Sequence, residues 1–94
     1  MELKSTIDYM TSKDYKERFL AEYWQTKIRY EKLKALNTKL EAGFILHEEG
    51  ENAILDFTPT CPYELLKQQQ SIMGEYLHTL ELRAVIEGVD LNGI

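Results

Sequence analysis

Ninety-four residues, 44% apolar and 29% charged with a net charge of −5, describe one ordinary folded domain and exclude wholesale disorder. The negative balance argues against binding a DNA or RNA polymer, whose affinity comes mainly from neutralising phosphates, and apolar runs as short as Phe44-Ile45-Leu46 argue against a membrane span. One cysteine, Cys61, with two histidines, His47 and His78, leaves no internal disulfide and no zinc-ligand spacing.

Met1-Glu2-Leu3-Lys4 does not lead into a signal-peptide apolar region, so the chain is expected in the cytoplasm. Residues 1–11 read as a short helical element: Ser5 followed by Asp8 resembles a capping box, with Ile7, Tyr9 and Met10 as its apolar side. Thr11 or Ser12 then caps a second start, with Asp14 in the first turn, where an acid suits the helix dipole. No Pro or Gly interrupts Lys13 to Ala42, and Gly43 is a natural stop, so a helix over 12–42 is predicted, about 45 Å long. The runs Phe44-Ile45-Leu46-His47 and Ala53-Ile54-Leu55-Asp56-Phe57 flank a polar turn containing Gly50 and predict a small β-hairpin over 44–57. Pro62 at a first helical position opens a second long helix over 62–87, which Gly88 stops. The expected fold is mainly α: one domain over 1–94, an antiparallel long-helix hairpin with a short N-terminal helix and that β-hairpin between the long helices.

Both long helices are apolar over more than one stripe. On the first, Phe19, Tyr23, Tyr30, Leu33 and Leu40 form one row, and Leu20, Trp24 and Ile28 begin another. On the second, Leu66, Met73, Tyr76 and Leu80 form one row, and Leu65, Ile72, Leu82 and Ile86 another. One stripe closes the hairpin; the other needs a second partner, which predicts a homo-oligomer. Gly74 in mid-helix marks a close crossing or is merely tolerated. Asn37, Gln69 and Arg83, polar residues inside apolar rows, set register or line a pocket.

Charge is unevenly spread. Residues 13–40 carry eight Lys or Arg against four acids, whereas residues 41–94 carry two against ten. This polarity pairs the two halves or two subunits, or it serves an anionic ligand on the first helix. That helix is also aromatic: Tyr15, Phe19, Tyr23, Trp24 and Tyr30 alternate with Lys16, Arg18, Lys27, Arg29 and Lys32. Rings stack on a base and cations hold phosphate, as a nucleotide-sized anion requires; equally, rings form a core and cations its solvated face. Catalytic signals are missing. Glu75-x-x-His78 has the spacing of a di-metal half-site without its second half, Cys61 has no base placed by sequence, and no phosphate loop or hydrolase elbow occurs. The chain reads as a binder that needs no metal or cofactor, not an enzyme.

The words Asp14-Tyr15-Lys16-Glu17-Arg18-Phe19, Lys27-Ile28-Arg29-Tyr30-Glu31-Lys32-Leu33, Pro59-Thr60-Cys61-Pro62 and Leu82-Arg83-Ala84-Val85-Ile86-Glu87-Gly88-Val89 resemble a family of small proteins of tailed phages and prophages. The layout of short element, long helix, connector and long helix is also similar to the anti-CBASS and anti-Thoeris hairpin sponges of phages. Those proteins oligomerise and sequester cyclic nucleotide or cyclic ADP-ribose signals without cleaving them. Gln69-Gln70-Ser71-Ile72-Met73 and Arg83-Ala84-Val85 resemble two words of the anti-CBASS second helix, although their separation differs by about two turns. Asp14-Tyr15-Lys16 resembles the start of its long helix, where the Tyr stacks on a base. Tyr30 stands where that family has a phosphate-binding Lys, so Lys27, Arg29 or Lys32 has to substitute.

The resemblance implies a homo-oligomeric sponge in the cytoplasm of an infected bacterial host, holding a small anionic nucleotide with Tyr15, Lys16, Tyr23, Lys27, Arg29, Tyr30 and Arg83. In it Tyr15 and Tyr23 stack on bases while Lys16, Arg29 and Arg83 hold phosphates. The alternative is a helical protein-binding module whose second apolar stripe grips a host or phage protein.

Overall fold

A computed structural model describes residues 1–48 and 59–92. Within them the chain is mainly helical: α1 (Thr6–Met10), α2 (Tyr15–Glu48) and α3 (Tyr63–Glu87). α2 packs against both α1 and α3. Its 34 residues make a rod of about 51 Å, which sets the longest dimension of the molecule at 54 Å. α3 runs back antiparallel to it, so that Tyr15 meets Glu87 at one end and Asn37 meets Leu66 towards the other.

The start of α2 is built by Asp14 rather than by Thr11 or Ser12. Asp14 Oδ1 accepts the Lys16 N–H at 2.9 Å, and its carbonyl accepts the Arg18 N–H at 3.1 Å. Ser12 supports the cap from outside, accepting the Asp14 N–H at 3.0 Å and donating to Glu17 Oε1 at 2.7 Å. The Ser5–Asp8 box is not made: Ser5 already has helical backbone angles and bonds nothing through its side chain as a cap. α1 is anchored instead by buried Thr6, which donates to the Leu3 carbonyl at 2.6 Å and accepts from Gln25 Nε2 of α2 at 2.9 Å.

The far end of α2 departs most from the sequence reading. Gly43 does not stop the helix, and residues 44–48 continue it rather than forming a strand. A glycine inside a helix costs only about 1 kcal/mol. Here it is buried, and the next residue, Phe44, sets its ring edge-on against Tyr63 of α3 with centroids 5.2 Å apart. Packing across the two helices outweighs the local preference. No strand occurs among the described residues; the second strand expected over 53–57 lies outside them.

Pro62 sits just before α3 with extended backbone, ψ 146°, instead of inside its first turn, and its carbonyl accepts the N–H groups of Leu65 and Leu66. Gly88 ends α3 as expected, at φ 72°, the left-handed conformation that glycine adopts without strain. The chain then folds back. The Val89 N–H bonds the Ala84 carbonyl at 2.9 Å, Val89 enters the core, and Trp24 Nε1 donates to the Leu91 carbonyl at 2.8 Å.

The core is small and lies towards one end of the hairpin: Phe19, Leu20, Tyr23, Leu77, Leu80, Ala84 and Val89, with Trp24, Tyr30 and Leu91 packed on it. Farther along, Asn37 is 1% exposed and donates to the Leu66 carbonyl at 3.1 Å and to Gln70 Oε1 at 2.9 Å. This side chain therefore sets the register of α3 on α2. Gly74 marks a close crossing: a Cβ built there would lie 3.3 Å from the Tyr30 ring.

Candidate functional site

The cap at Asp14 and the stop at Gly88 bring the start of α2 and the end of α3 together. There Arg83 Nη2 donates to the Tyr15 hydroxyl at 2.6 Å, Arg83 Nε donates to Glu87 Oε2 at 2.8 Å, and the Tyr15 hydroxyl donates to Glu87 Oε1. The guanidinium also lies over the Phe19 ring, 5.0 Å from its centroid, and Tyr15 meets Phe19 edge-on at 6.3 Å. One edge and one face of Arg83 are therefore held, while its Nη1 group has no hydrogen-bond partner among the described residues. Lys16 Nζ adds a second cation, donating to the Gly88 carbonyl at 3.3 Å, where the end of α3 carries partial negative charge.

The protonation states follow from these contacts. The hydrogen bond to Glu87 holds the Tyr15 hydroxyl above its ordinary pKa, so it stays a donor. Arg83 is raised by Glu87, and Glu87 is lowered by Arg83, so both remain charged. Arg83, Glu87 and the Tyr15 ring share an exposed surface above the buried Phe19 ring, with Lys16 at the same end of the hairpin. Such a group can hold an anion with a flat portion; it contains no activated nucleophile and no base poised near neutrality.

The seven residues proposed from sequence do not form one pocket within a single chain. Tyr15 and Arg83 meet, and Lys16 lies at the same end of the hairpin, on the Gly88 carbonyl. Tyr23 does not join them as a stacking platform: its ring is 6% exposed inside the core, and its hydroxyl donates to Glu81 Oε2 at 2.8 Å. Burial, reinforced by Glu81, pushes its pKa up to about 12. Tyr30 is half-buried against Gly74. Lys27 pairs with Glu31 at 3.2 Å along its own helix. Arg29 lies 14 residues beyond Tyr15, about 21 Å along α2, and opens onto a separate groove of about 550 Å³ that Lys4, Ile7, Met10 and Gln25 also line. A period of 3.6 residues disperses a contiguous basic aromatic word around the helix.

Glu87 and Phe19 also belong to the cluster, beyond the seven residues expected from sequence. The four-residue spacing of Arg83 and Glu87 was a legible signal for their ion pair. The placement of Phe19 beneath Arg83 depends on the α2–α3 register and was not legible. Among the described residues, no group of three His, Cys, Asp or Glu is arranged to hold a metal ion, and no helix is long and apolar enough to cross a membrane.

These features define a class: a small helical hairpin with an exposed cationic aromatic cluster closing one end. The family model described as Sequestin matches residues 13–86, and the chain belongs to the Sequestin family. The matched span includes Tyr15, Lys16, Phe19 and Arg83, with Glu87 immediately after it. No curated protein and no solved structure matches the chain.

Proposed function

We propose that this protein sequesters a small anionic nucleotide signal, of cyclic oligonucleotide or cyclic ADP-ribose type, without cleaving it. It would act as a phage anti-defence protein in the cytoplasm of the infected bacterium. The observation that carries the reading is the exposed Tyr15–Arg83 cluster, with Lys16 at the same end of the hairpin, in which Arg83 is braced by Phe19, Tyr15 and Glu87 while its Nη1 group has no hydrogen-bond partner among the described residues. A braced cation loses little side-chain freedom when an anion binds, which favours tight holding. The family name, Sequestin, is that of a sequestering protein and supports the same direction.

Sequestration requires affinity and abundance, not turnover. With free sites at ten times Kd, about a tenth of the signal stays free; at a micromolar Kd the binding free energy is about −8 kcal/mol. A homo-oligomer belongs to this reading, because Leu65, Ile72 and Ile86 leave apolar surface on α3 that its own chain does not cover. The same surface favours the second reading, a helical module that grips another protein. Equilibrium dialysis against cyclic dinucleotides, cyclic trinucleotides and cyclic ADP-ribose isomers tests the proposal. Depletion of one of them at micromolar protein supports it, whereas depletion of none, with capture of one host protein, favours the module.

A further inference from the structure

We infer that the hollow between α1, α2 and the C-terminal fold-back, lined by Met1, Ser5, Tyr9, Trp24 and Asn92, binds an uncharged flat heterocycle. The ligand carries hydrogen-bond donors and acceptors on its edge, as a purine or pyrimidine base does. The hollow is independent of the Arg83 cluster and of the sequestration reading.

Three segments build it, and each is braced by bonds of its own. Ser5 and Tyr9, four residues apart, share one side of the α1 turn. Thr6 ties that wall to the Leu3 carbonyl and, through the Gln25 side chain, to α2. On α2, half-buried Trp24 donates from Nε1 to the Leu91 carbonyl at 2.8 Å, and Tyr23 packs edge-on against it with centroids 5.5 Å apart. In the fold-back, the Asn92 N–H donates to Asp90 Oδ1 at 3.0 Å, and Val89 is anchored in the core. The walls are therefore set before a ligand arrives, which lowers the ordering cost of binding.

The lining defines what fits. Its volume, about 470 Å³, falls within the roughly 300–1,000 Å³ of small-molecule sites. Tyr9 and Trp24 offer aromatic surface to a flat ring. None of the lining side chains is charged, so nothing there neutralises a phosphate or a carboxylate. Ser5, expected from sequence to cap α1, makes no cap with its side chain. Its hydroxyl, the Tyr9 hydroxyl and the Asn92 amide have no hydrogen-bond partner among the described residues, and together they supply donors and acceptors to the edge of a heterocycle.

The hollow and the cluster lie apart. Tyr15 and Trp24 are nine positions apart in the sequence, about two and a half turns, and so project from opposite sides of α2.

The indole N–H resonance of Trp24, the chain's single tryptophan, reports the site in heteronuclear NMR of the intact protein. Titration with adenosine and with uridine is expected to shift it saturably, the tighter of the two telling purine from pyrimidine. Toluene, flat but without a polar edge, is expected to give no comparable shift. Tyr9→Ala is expected to weaken nucleoside binding about fivefold or more, and Asn92→Ala about threefold. Asn92 is exposed and outside the core, so its variant reports on binding even where Tyr9→Ala loosens α1. An excess of inorganic phosphate, which competes at the Arg83 cluster, is expected to leave the nucleoside bound. No saturable shift with either nucleoside, an equal response to toluene, unchanged affinity in Asn92→Ala, or displacement by phosphate overturns the inference. Failure to deplete any cyclic nucleotide in dialysis leaves it standing and counts only against the sequestration reading.

Discussion

The Tyr23 hydroxyl of α2 donates to Glu81 Oε2 of α3 at 2.8 Å, joining the two long helices at the edge of the core. Burial first, and then this bond, raises the Tyr23 pKa from 10.0 to about 12. The folded state therefore keeps the proton in a range where the unfolded chain has lost it. The resulting stability is fully present below pH 10 and is lost as pH rises towards 12, with a magnitude on the order of 2 kcal/mol. Urea titrations at pH 8, 10 and 11.5 should show this fall. Tyr23→Phe should be about 1 kcal/mol less stable at pH 8 and should lose less between pH 10 and 11.5.

Gly74 faces Tyr30 across the same pair of helices, and a Cβ there would meet the Tyr30 ring at 3.3 Å, a few tenths of an ångström tighter than ordinary contact. Alanine gains about 1 kcal/mol of helix propensity there but presses on a half-buried ring that is able to shift. Gly74→Ala should therefore lie within about 1 kcal/mol of wild type, whereas Gly74→Leu should cost about 1–3 kcal/mol through overpacking. Adding Tyr30→Ala to Gly74→Leu should recover part of that cost. Additive losses in the double variant would show that the two side chains do not compete for the same space.

Asn37 uses its amide N–H groups on Leu66 and Gln70, but its Oδ1 is buried with no hydrogen-bond partner among the described residues. Removing that acceptor offsets the loss of the two donated bonds, so Asn37→Leu should change stability by less than about 1.5 kcal/mol. Asn37→Asp places a carboxylate against the Leu66 carbonyl and the Gln70 Oε1 and should cost about 3 kcal/mol or more at pH 7, less at pH 4. Urea unfolding at both values measures the difference.

Two long antiparallel helices and the stop at Gly88 were legible in the sequence, because propensity and packing agree at each; at Gly74 the sequence left a close crossing and a tolerated glycine both open, and the approach of Tyr30 decides for the crossing. At Gly43 the local stop signal opposes a contact formed between Phe44 and Tyr63, distant in the chain, and the contact prevails. The cluster was half legible. Tyr15, Lys16 and Arg83 stood out by residue type, but which cations meet depends on helix phase and on register, and register is set by a buried Asn37. For the same reason Tyr23, an attractive aromatic in a basic word, lies in the core.

Binding should separate along these lines. Arg83→Ala and Lys16→Ala each remove a charge at the cluster and should weaken nucleotide binding by roughly tenfold or more. Lys27→Ala, which breaks only an exposed pair with Glu31, should leave it within about threefold. Isothermal titration with the nucleotide depleted in dialysis provides the comparison.

The most direct measurement of sequestration is ligand recovery. The protein is saturated with that nucleotide, freed of unbound ligand on a desalting column and heat-denatured, and the released material is analysed by mass spectrometry, with Arg83→Ala alongside. The account predicts release of intact nucleotide near one per site from the wild type and little from the variant. Release of a cleaved product, or equal retention by Arg83→Ala, would contradict it.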